Sequence, residues 1–178
     1  MNSPSPTLPI PRPQVFPITP ETEAKQRKAV IEEAMSWIGT PYMQLGNHKG
    51  YNIDCSMLLV RCWVDTGVFE PFDPRPYPPE WHLHKSEERY LAWMEALSEE
   101  VSEPKPGDVV LFRFGRCFSH GGIYVGDGNI VHAFVYEGFC TKTEITSTQL
   151  MYMSNGVDIR PKKYFDIWAR LRKLEGNK

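Results

Sequence analysis

A cysteine opens the apolar run in Ile53-Asp54-Cys55-Ser56-Met57-Leu58-Leu59-Val60. Asp54 is a favoured N-cap residue, and the apolar residues after it predict a buried central helix that ends near Gly67. Cys55 would lie in its first turn, where unpaired N–H groups and the helix dipole favour thiolate over thiol. The stretch therefore predicts a nucleophilic cysteine, although a cysteine in an apolar helix is more often a small core residue.

Two histidines follow in Ser119-His120-Gly121-Gly122-Ile123-Tyr124-Val125-Gly126-Asp127-Gly128-Asn129-Ile130-Val131-His132-Ala133. A cysteine activated by an imidazole is a nucleophile, so Cys55 and His120 are candidates for the two halves of one acyl-transfer site. Taken singly, His120 is as consistent with an exposed turn residue, and His132 with a strand residue satisfied by a neighbour.

The register of this hairpin decides whether His132 can orient His120. A two- or four-residue loop pairs Ile123 with His132 and puts the imidazoles on opposite sheet faces. A three-residue loop with a glycine bulge pairs Tyr124 with His132 and puts both on one face. We expect the second register, because a general base needs a third polar group to fix its tautomer and orientation.

Elsewhere the sequence predicts helices first and strands afterwards. Thr19-Pro20-Glu21 is typical of a helix start, so we expect a first helix over about residues 20–38 and a later one over residues 84–97. Runs rich in β-branched and aromatic residues predict strands at 109–114, 122–125, 130–136 and 164–171. This order favours an α+β domain in which the cysteine helix packs on a small antiparallel sheet.

Length, proline content and net charge indicate the domain organisation and the class of partner. The 178 residues suit one domain with a tail, and prolines recur through residues 1–18, so we expect a proline-rich N-terminal arm at 1–18 and a folded domain at 19–178. A net charge of −2, with Lys and Arg scattered, argues against nucleic acid as a partner.

Cysteine spacing and the N-terminal composition bear on metals and location. The four cysteines (Cys55, Cys62, Cys117 and Cys140) form no CxxC pair and have no histidine at zinc-finger spacing, so we expect no metal and no cofactor. Cys117 is a rival nucleophile without a helix start to lower its pKa. With no Sec-type leader and no membrane-spanning stretch, we expect synthesis in the cytoplasm and unbridged thiols.

The motifs resemble those of the NlpC-type cell-wall cysteine peptidases, a papain-like superfamily with an Asp-Cys-Ser-Gly motif and a later His-Val-Gly-Ile-Tyr-like hairpin that ends in His-Ala. The resemblance covers about residues 25–135 and includes Gly39-Thr40-Pro41-Tyr42 and Pro106-Gly107-Asp108-Val109-Val110-Leu111-Phe112. It implies a papain-like fold in which Cys55 attacks an amide carbonyl, His120 shuttles the proton and His132 orients His120.

The resemblance also implies roles around the cysteine. The Tyr42 hydroxyl and the Cys55 N–H would stabilise the oxyanion, and Asp54 and Ser56 would contact substrate. Without the resemblance, Tyr42 is as well explained as a core aromatic, and capping alone would explain Asp54 and Ser56. Met57 stands where the family has glycine, and we expect its bulk to narrow the cleft or alter substrate choice.

The resemblance implies an enzyme that cuts isopeptide bonds in the stem peptides of peptidoglycan. The chain is similar to compact phage-tail peptidases, so we expect a phage or prophage tail-associated enzyme that acts at the cell wall and docks on tail proteins through its arm. The alternatives are a catalytically silent module of a tail tip, and an amidase toxin or lipid-directed acyltransferase on the same fold. The order of Cys55 before His120 argues against the acyltransferase.

Overall fold

The computed structural model describes residues 10–14, 17–77 and 88–176. Its helices are α1 (Pro20–Ser36), α2 (Cys55–Asp65), α3 (Arg89–Leu97), α4 (Thr148–Met151) and α5 (Ile167–Gly176). Its strands are β1 (Asn47–His48), β2 (Asn52–Ile53), β3 (Glu99–Val101), β4 (Val109–Phe114), β5 (Cys117–Gly126), β6 (Asn129–Phe134), β7 (Phe139–Glu144) and β8 (Lys162–Asp166). Six strands form an antiparallel sheet in the order β3-β8-β4-β5-β6-β7, and β1 pairs with β2.

The two N-terminal helices begin at the predicted caps. The side chain of Thr19 accepts a hydrogen bond from the N–H of Thr22 at 3.1 Å, and Pro20 occupies the first turn of α1. Asp54 Oδ1 accepts from the N–H of Met57 at 2.8 Å and so fixes the start of α2. Local side-chain chemistry therefore sets where Cys55 stands on its helix.

The main core lies between the helices and one face of the sheet. Helix α2 buries Leu58, Leu59 and Trp63 there, against sheet residues such as Val131 and Ala133. A smaller apolar cluster on the sheet comprises Val110, Phe112, Ile130, Phe134, Ile145 and Leu150. The predicted α+β architecture, with the cysteine helix packed on an antiparallel sheet, is confirmed.

The predicted C-terminal strand is wrong beyond Asp166. Strand β8 ends there and α5 follows, because Asp166 Oδ1 accepts from the N–H of Ala169 at 3.0 Å and satisfies a helix N-terminus. Ile167, Trp168 and Leu171 are then buried at helical spacing. Their aromatic and β-branched character had favoured a strand, whereas tertiary packing selected the helix.

Four strands were not predicted: the short pair β1 and β2, and the two strands at the edges of the six-stranded sheet. At the edges, β3 (Glu99–Val101) pairs with β8, and β7 (Phe139–Glu144) pairs with β6 and forms an isolated bridge to Pro41. Both carry charged side chains that alternate with less exposed ones. Polar edge strands lack the apolar signal by which we recognised the central strands.

Part of the predicted arm lies on the domain. The N–H of Gln14 donates to the Val68 carbonyl at 3.0 Å, the N–H of Glu70 donates to the Arg12 carbonyl at 2.8 Å, and Ile18 is buried in the main core. The division of the chain at residue 18 stays a prediction. Residues 1–9, and the part of the predicted helix 84–97 before residue 88, fall outside the described residues.

Within the described residues, no helix combines the length and the apolar character needed to cross a bilayer.

Candidate active site

Cys55 is the first residue of α2 and is half-buried. Its Sγ lies 4.0 Å from Ser56 Oγ and 4.0 Å from the carbonyl oxygen of Ser119, the residue before His120. No hydrogen bond joins this sulfur to the His120 ring in the structure, although both side chains face the same groove. The segments that carry Cys55 and His120 thus lie side by side, but Cys55 Sγ makes no hydrogen bond to the imidazole.

The protonation state of Cys55 differs from the sequence prediction. Burial raises the pKa of its thiol to about 12, and the Asp54 carboxylate adds to the rise. The N–H of Gly121 and the Ser56 hydroxyl lower this pKa but do not offset the burial. The predicted dominance of the helix N-terminus is therefore wrong, and the sulfur of the free protein is a thiol near neutral pH.

The hairpin that carries the histidines has neither expected register. Ile123 pairs with Val131 and Tyr124 with Ile130, but Gly126 pairs with Asn129, which leaves Val125 as the extra residue of a β-bulge. The predicted pairing of Tyr124 with His132 is therefore wrong. Because the bulge shifts the register by one residue, both imidazoles nevertheless lie on one face.

His120 and His132 are in direct contact, and a third residue continues the chain of contacts. His120 Nε2 lies 2.7 Å from His132 Nδ1, and His132 Nε2 lies 3.1 Å from Thr143 Oγ1. Thr143 stands on β7, a strand that sequence reasoning missed, so no local signal pointed to it. The arrangement fixes the orientation of both rings through hydrogen bonds at three of their four nitrogens.

Aromatic side chains enclose the pair. The ring centroid of His120 lies 4.7 Å from that of Phe134 and 5.6 Å from that of Phe114. Burial, with the charges of His132 and Arg160, lowers the pKa of His120 well below its usual value. Burial alone lowers the pKa of His132 to about 4. Both imidazoles are therefore neutral near pH 7, which leaves His120 able to accept a proton.

Cys55 and His120 open onto a groove of about 570 Å³. One wall comes from the segments that the sequence analysis singled out and includes Tyr42, Asp54 and Ser56. The other wall comes from the β6–β7 turn and the segment around α4 and was not predicted; it includes Val135, Tyr136, Thr148, Gln149, Tyr152, Met153, Ser154 and Arg160. The groove has the size of a site for a short peptide or small molecule.

Tyr42 lies at the groove beside the cysteine. Its hydroxyl donates to Oε1 of Gln44 at 3.3 Å. Gln44 was not among the predicted site residues. Burial, with the charges of Cys55 and Asp54, raises the pKa of Tyr42, so the hydroxyl stays protonated and able to donate. Its oxyanion role stays a prediction.

Asp54 is fully engaged by the protein. It is buried, and its carboxylate accepts from the N–H of Leu45 at 2.7 Å, from the N–H of Met57 at 2.8 Å and from the hydroxyl of Tyr77 at 2.8 Å. Burial raises the pKa of Asp54 against these donors. Capping and loop anchoring thus account for Asp54, and its contact with substrate, like that of Ser56, stays a prediction.

Met57 and Cys117 both lie away from the groove. Met57 is 1% exposed within the main core, so its side chain fills core volume instead of narrowing the cleft as expected. Cys117 is equally buried at the start of β5, and burial raises the pKa of its thiol. All four cysteines are free thiols. Across the described part of the chain, no group of three or more His, Cys, Asp or Glu side chains is placed to hold a metal ion.

The chain belongs to the NlpC/P60 family, whose model matches residues 39–157. The probable endopeptidase Rv2190c of Mycobacterium tuberculosis is 29% identical over 119 residues, which is 67% of this chain and 26% of that protein. The Murein DD-endopeptidase MepS/Murein LD-carboxypeptidase of Escherichia coli K12 is 30% identical over 112 residues, 63% of this chain and 52% of that protein. The chain thus spans a quarter to a half of the length of these relatives.

Solved structures show the same fold. The peptidoglycan hydrolase RipB of Mycobacterium tuberculosis aligns with a TM-score of 0.56 at 20% identity, covering 84% of this chain and 68% of that one. RipD of the same organism, a non-catalytic NlpC/p60 domain protein, aligns with a TM-score of 0.50 at 12% identity, covering 80% and 97%. The predicted family and papain-like fold are confirmed, and the likeness to phage-tail members stays a prediction.

Proposed function

We propose that the chain is a cysteine peptidase that hydrolyses amide bonds, including isopeptide bonds, in the stem peptides of peptidoglycan. The observation that carries this proposal is the shared groove of Cys55 and His120, with His120 held by His132 at 2.7 Å. The names of Rv2190c, MepS and RipB, an endopeptidase, a murein endopeptidase and a peptidoglycan hydrolase, support the substrate class.

The proposed reaction starts from neutral groups. His132 donates from Nε2 to Thr143 Oγ1 and accepts at Nδ1 from the Nε2–H of His120, which leaves His120 Nδ1 free to accept a proton. As the thiol proton of Cys55 passes to that nitrogen, the sulfur bonds to the scissile carbonyl carbon. The raised pKa of Cys55 requires this transfer to accompany attack, since thiolate is scarce beforehand.

The tetrahedral intermediate then collapses to a thioester. Its oxyanion would accept from the Cys55 N–H and the Tyr42 hydroxyl, and the C–N bond breaks as the amine takes the proton from His120. A water molecule, deprotonated by His120, hydrolyses the thioester and restores the thiol. Thr143 and His132 hold the ring of His120 in one orientation through both steps.

A silent binding module is the second candidate. The thiol pKa near 12 and the missing hydrogen bond between Cys55 and His120 favour it, and RipD is an example of a non-catalytic protein of this fold. In this case the groove would bind a stem peptide without cutting it.

Digestion of purified sacculi tests the enzyme proposal. Wild type should release soluble muropeptides identifiable by mass spectrometry, and Cys55→Ala should lower the rate by at least about a thousand-fold, because no other group supplies the nucleophile. Cys117→Ala is the matched control and should retain activity, since Cys117 is buried away from the groove. Binding of wild type to sacculi without release would instead establish the silent module.

We also propose delivery by a phage or prophage tail, with a cytoplasmic site of synthesis. Support comes only from the sequence resemblance and the proline-rich arm. Detection of the chain in purified tails of a phage or prophage that encodes it would test this setting, and its presence only in uninfected cell fractions would contradict it.

A further inference from the structure

Arg160 lines the groove that contains Cys55, and it is 7% exposed. Its Nη1 donates to the carbonyl of Arg113 at 2.9 Å, and its Nη2 donates to the carbonyl of Tyr152 and, at 3.4 Å, to that of Gln149. The guanidinium also lies over the ring of Phe114, with Cζ 3.6 Å from the ring centroid. The cation is therefore held in one position on the groove wall.

The charge of this guanidinium has no protein counter-ion. Its partners are neutral carbonyls and an aromatic face, and among the described residues no carboxylate lies within ion-pair distance of Arg160. The buried Nε–H likewise has no acceptor in that part of the chain. Buried charges in proteins are ordinarily paired, so an unpaired one on a groove wall points to a partner that arrives with the ligand.

Among the described lining residues, no free carboxylate is available as a counter-ion for Arg160. Asp54 is the carboxylate among the described lining residues, and both of its oxygens are already taken by Leu45, Met57 and Tyr77. Arg160 is the cation among the described lining residues, and its fixed position favours an anionic group of a ligand beside it.

Arg160 and the proposed base, His120, lie against the same aromatic side chain. The ring of Phe114 contacts both groups: its centroid lies 3.6 Å from Cζ of the guanidinium and 5.6 Å from the ring centroid of His120. The charge also contributes to the lowered pKa of His120. The guanidinium and the proposed base thus contact the same aromatic ring and line the same groove.

We propose that Arg160 forms a carboxylate-binding subsite that recognises a free α-carboxylate on the substrate residue whose carbonyl is attacked. This deepens the proposed function and rests on it. An isopeptide bond made through a side-chain carboxyl leaves the α-carboxylate of that residue free, whereas an ordinary peptide bond uses it. A fixed guanidinium in the groove that contains Cys55 therefore selects isopeptide bonds, through charge-assisted hydrogen bonds to the carboxylate.

Arg160 lies outside residues 39–157, the segment that matches the family model. The same is not true of Cys55, His120 and His132, which lie inside it. The chemistry of bond cleavage and the selection of the substrate are therefore encoded in different parts of the sequence.

Two matched synthetic peptides test the proposal. They share one isopeptide bond and differ only in whether the acyl residue carries an α-carboxylate or an α-carboxamide. Wild type should cleave the carboxylate peptide with a kcat/KM about 10- to 100-fold higher. Arg160→Gln should abolish that ratio by slowing the carboxylate peptide, Arg160→Lys should keep part of it, and Arg116→Gln, which removes an exposed cation outside the groove, should leave it unchanged.

The ratio separates recognition from folding. A purely structural role for Arg160 would lower cleavage of both peptides equally and leave the ratio intact, which would overturn the subsite. Equal cleavage of both peptides by wild type would overturn it as well, even if Arg160→Gln does not fold. The proposed function would stand in either case. If wild type cuts neither of the two peptides nor sacculi, the proposed function itself is contradicted.

Discussion

His120 Nε2 and His132 Nδ1 lie 2.7 Å apart because one residue, Val125, bulges from the strand between them. Without the bulge the hairpin would place the two rings on opposite faces of the sheet. The contact between the proposed base and the residue proposed to orient it thus depends on a backbone irregularity near the hairpin turn.

The pH dependence of catalysis should reflect the buried histidines. Burial lowers the pKa of His120, so this ring stays an acceptor as the pH falls through about 6.5, the ordinary value for histidine. We expect kcat/KM to hold constant as the pH falls through that ordinary value and to decline only at more acidic pH. An acid limb centred at or above the ordinary histidine value would contradict the neutral, buried base.

Unfolding provides the control for that profile. Both imidazoles have lowered pKa values, so the stability they confer is complete above about pH 6.5 and is lost as the pH falls towards the folded value, about 4 for His132. The urea midpoint should fall over this window. Circular dichroism at each pH then separates loss of the base from loss of the fold.

Alkylation should report the raised pKa of Cys55. With a thiol pKa of about 12, iodoacetamide should modify Cys55 more slowly at about pH 7 than it modifies glutathione, and the rate should still rise between about pH 8 and about pH 10. Peptide mapping by mass spectrometry identifies the labelled residue, with Cys55→Ala as the blank. A rate that is already fast at neutral pH and independent of pH above it would show a preformed thiolate.

His132 and Thr143 should act on turnover more than on binding. His132→Ala should lower kcat about 10- to 100-fold with little change in KM, because it frees the ring of His120. Thr143→Val should lower kcat by a smaller factor, and Thr143→Ser should restore it by keeping the hydroxyl at His132 Nε2. Equal activities of the valine and serine variants would assign Thr143 no positioning role.

Gly122 should tolerate no side chain. A Cβ at this position would lie 2.9 Å from the carbonyl oxygen of Val131 and 3.0 Å from the Cβ of His132. Gly122→Ala should therefore displace His132, lower kcat at least about tenfold and cost about 1–3 kcal/mol of stability by urea unfolding. Gly176→Ala is the control, because a Cβ added there would meet nothing within 4 Å, and it should behave as wild type.

Asp54 should prove structural. Asp54→Ala removes the cap of α2 and leaves the Tyr77 hydroxyl and the Leu45 N–H without this acceptor, so we expect a loss of about 2–4 kcal/mol in urea unfolding. Tyr77→Phe removes one donor and should cost about 1 kcal/mol. If Asp54→Ala kept full stability but lost activity, a direct contact with substrate would replace the structural role.

The sequence by itself determined the features that depend on near neighbours in the chain. The caps at Thr19 and Asp54, the place of Cys55 on its helix and the central strands follow from hydrogen bonds and apolar spacing within a few residues. The motifs around Cys55 and His120 were enough to predict the family, because their order and spacing are local properties too.

Tertiary structure alone decided the rest, because it depends on groups far apart in sequence. The bulge at Val125, the contact of Thr143 with His132 and the helix after Asp166 arise from strand pairing and packing. Burial also reversed the predicted direction of the Cys55 pKa, since desolvation by the whole surrounding protein outweighs the local effect of one helix end. The position of the Arg160 guanidinium in the groove also depends on tertiary structure, because the folded chain brings the carbonyl groups of Arg113 and Tyr152 around it.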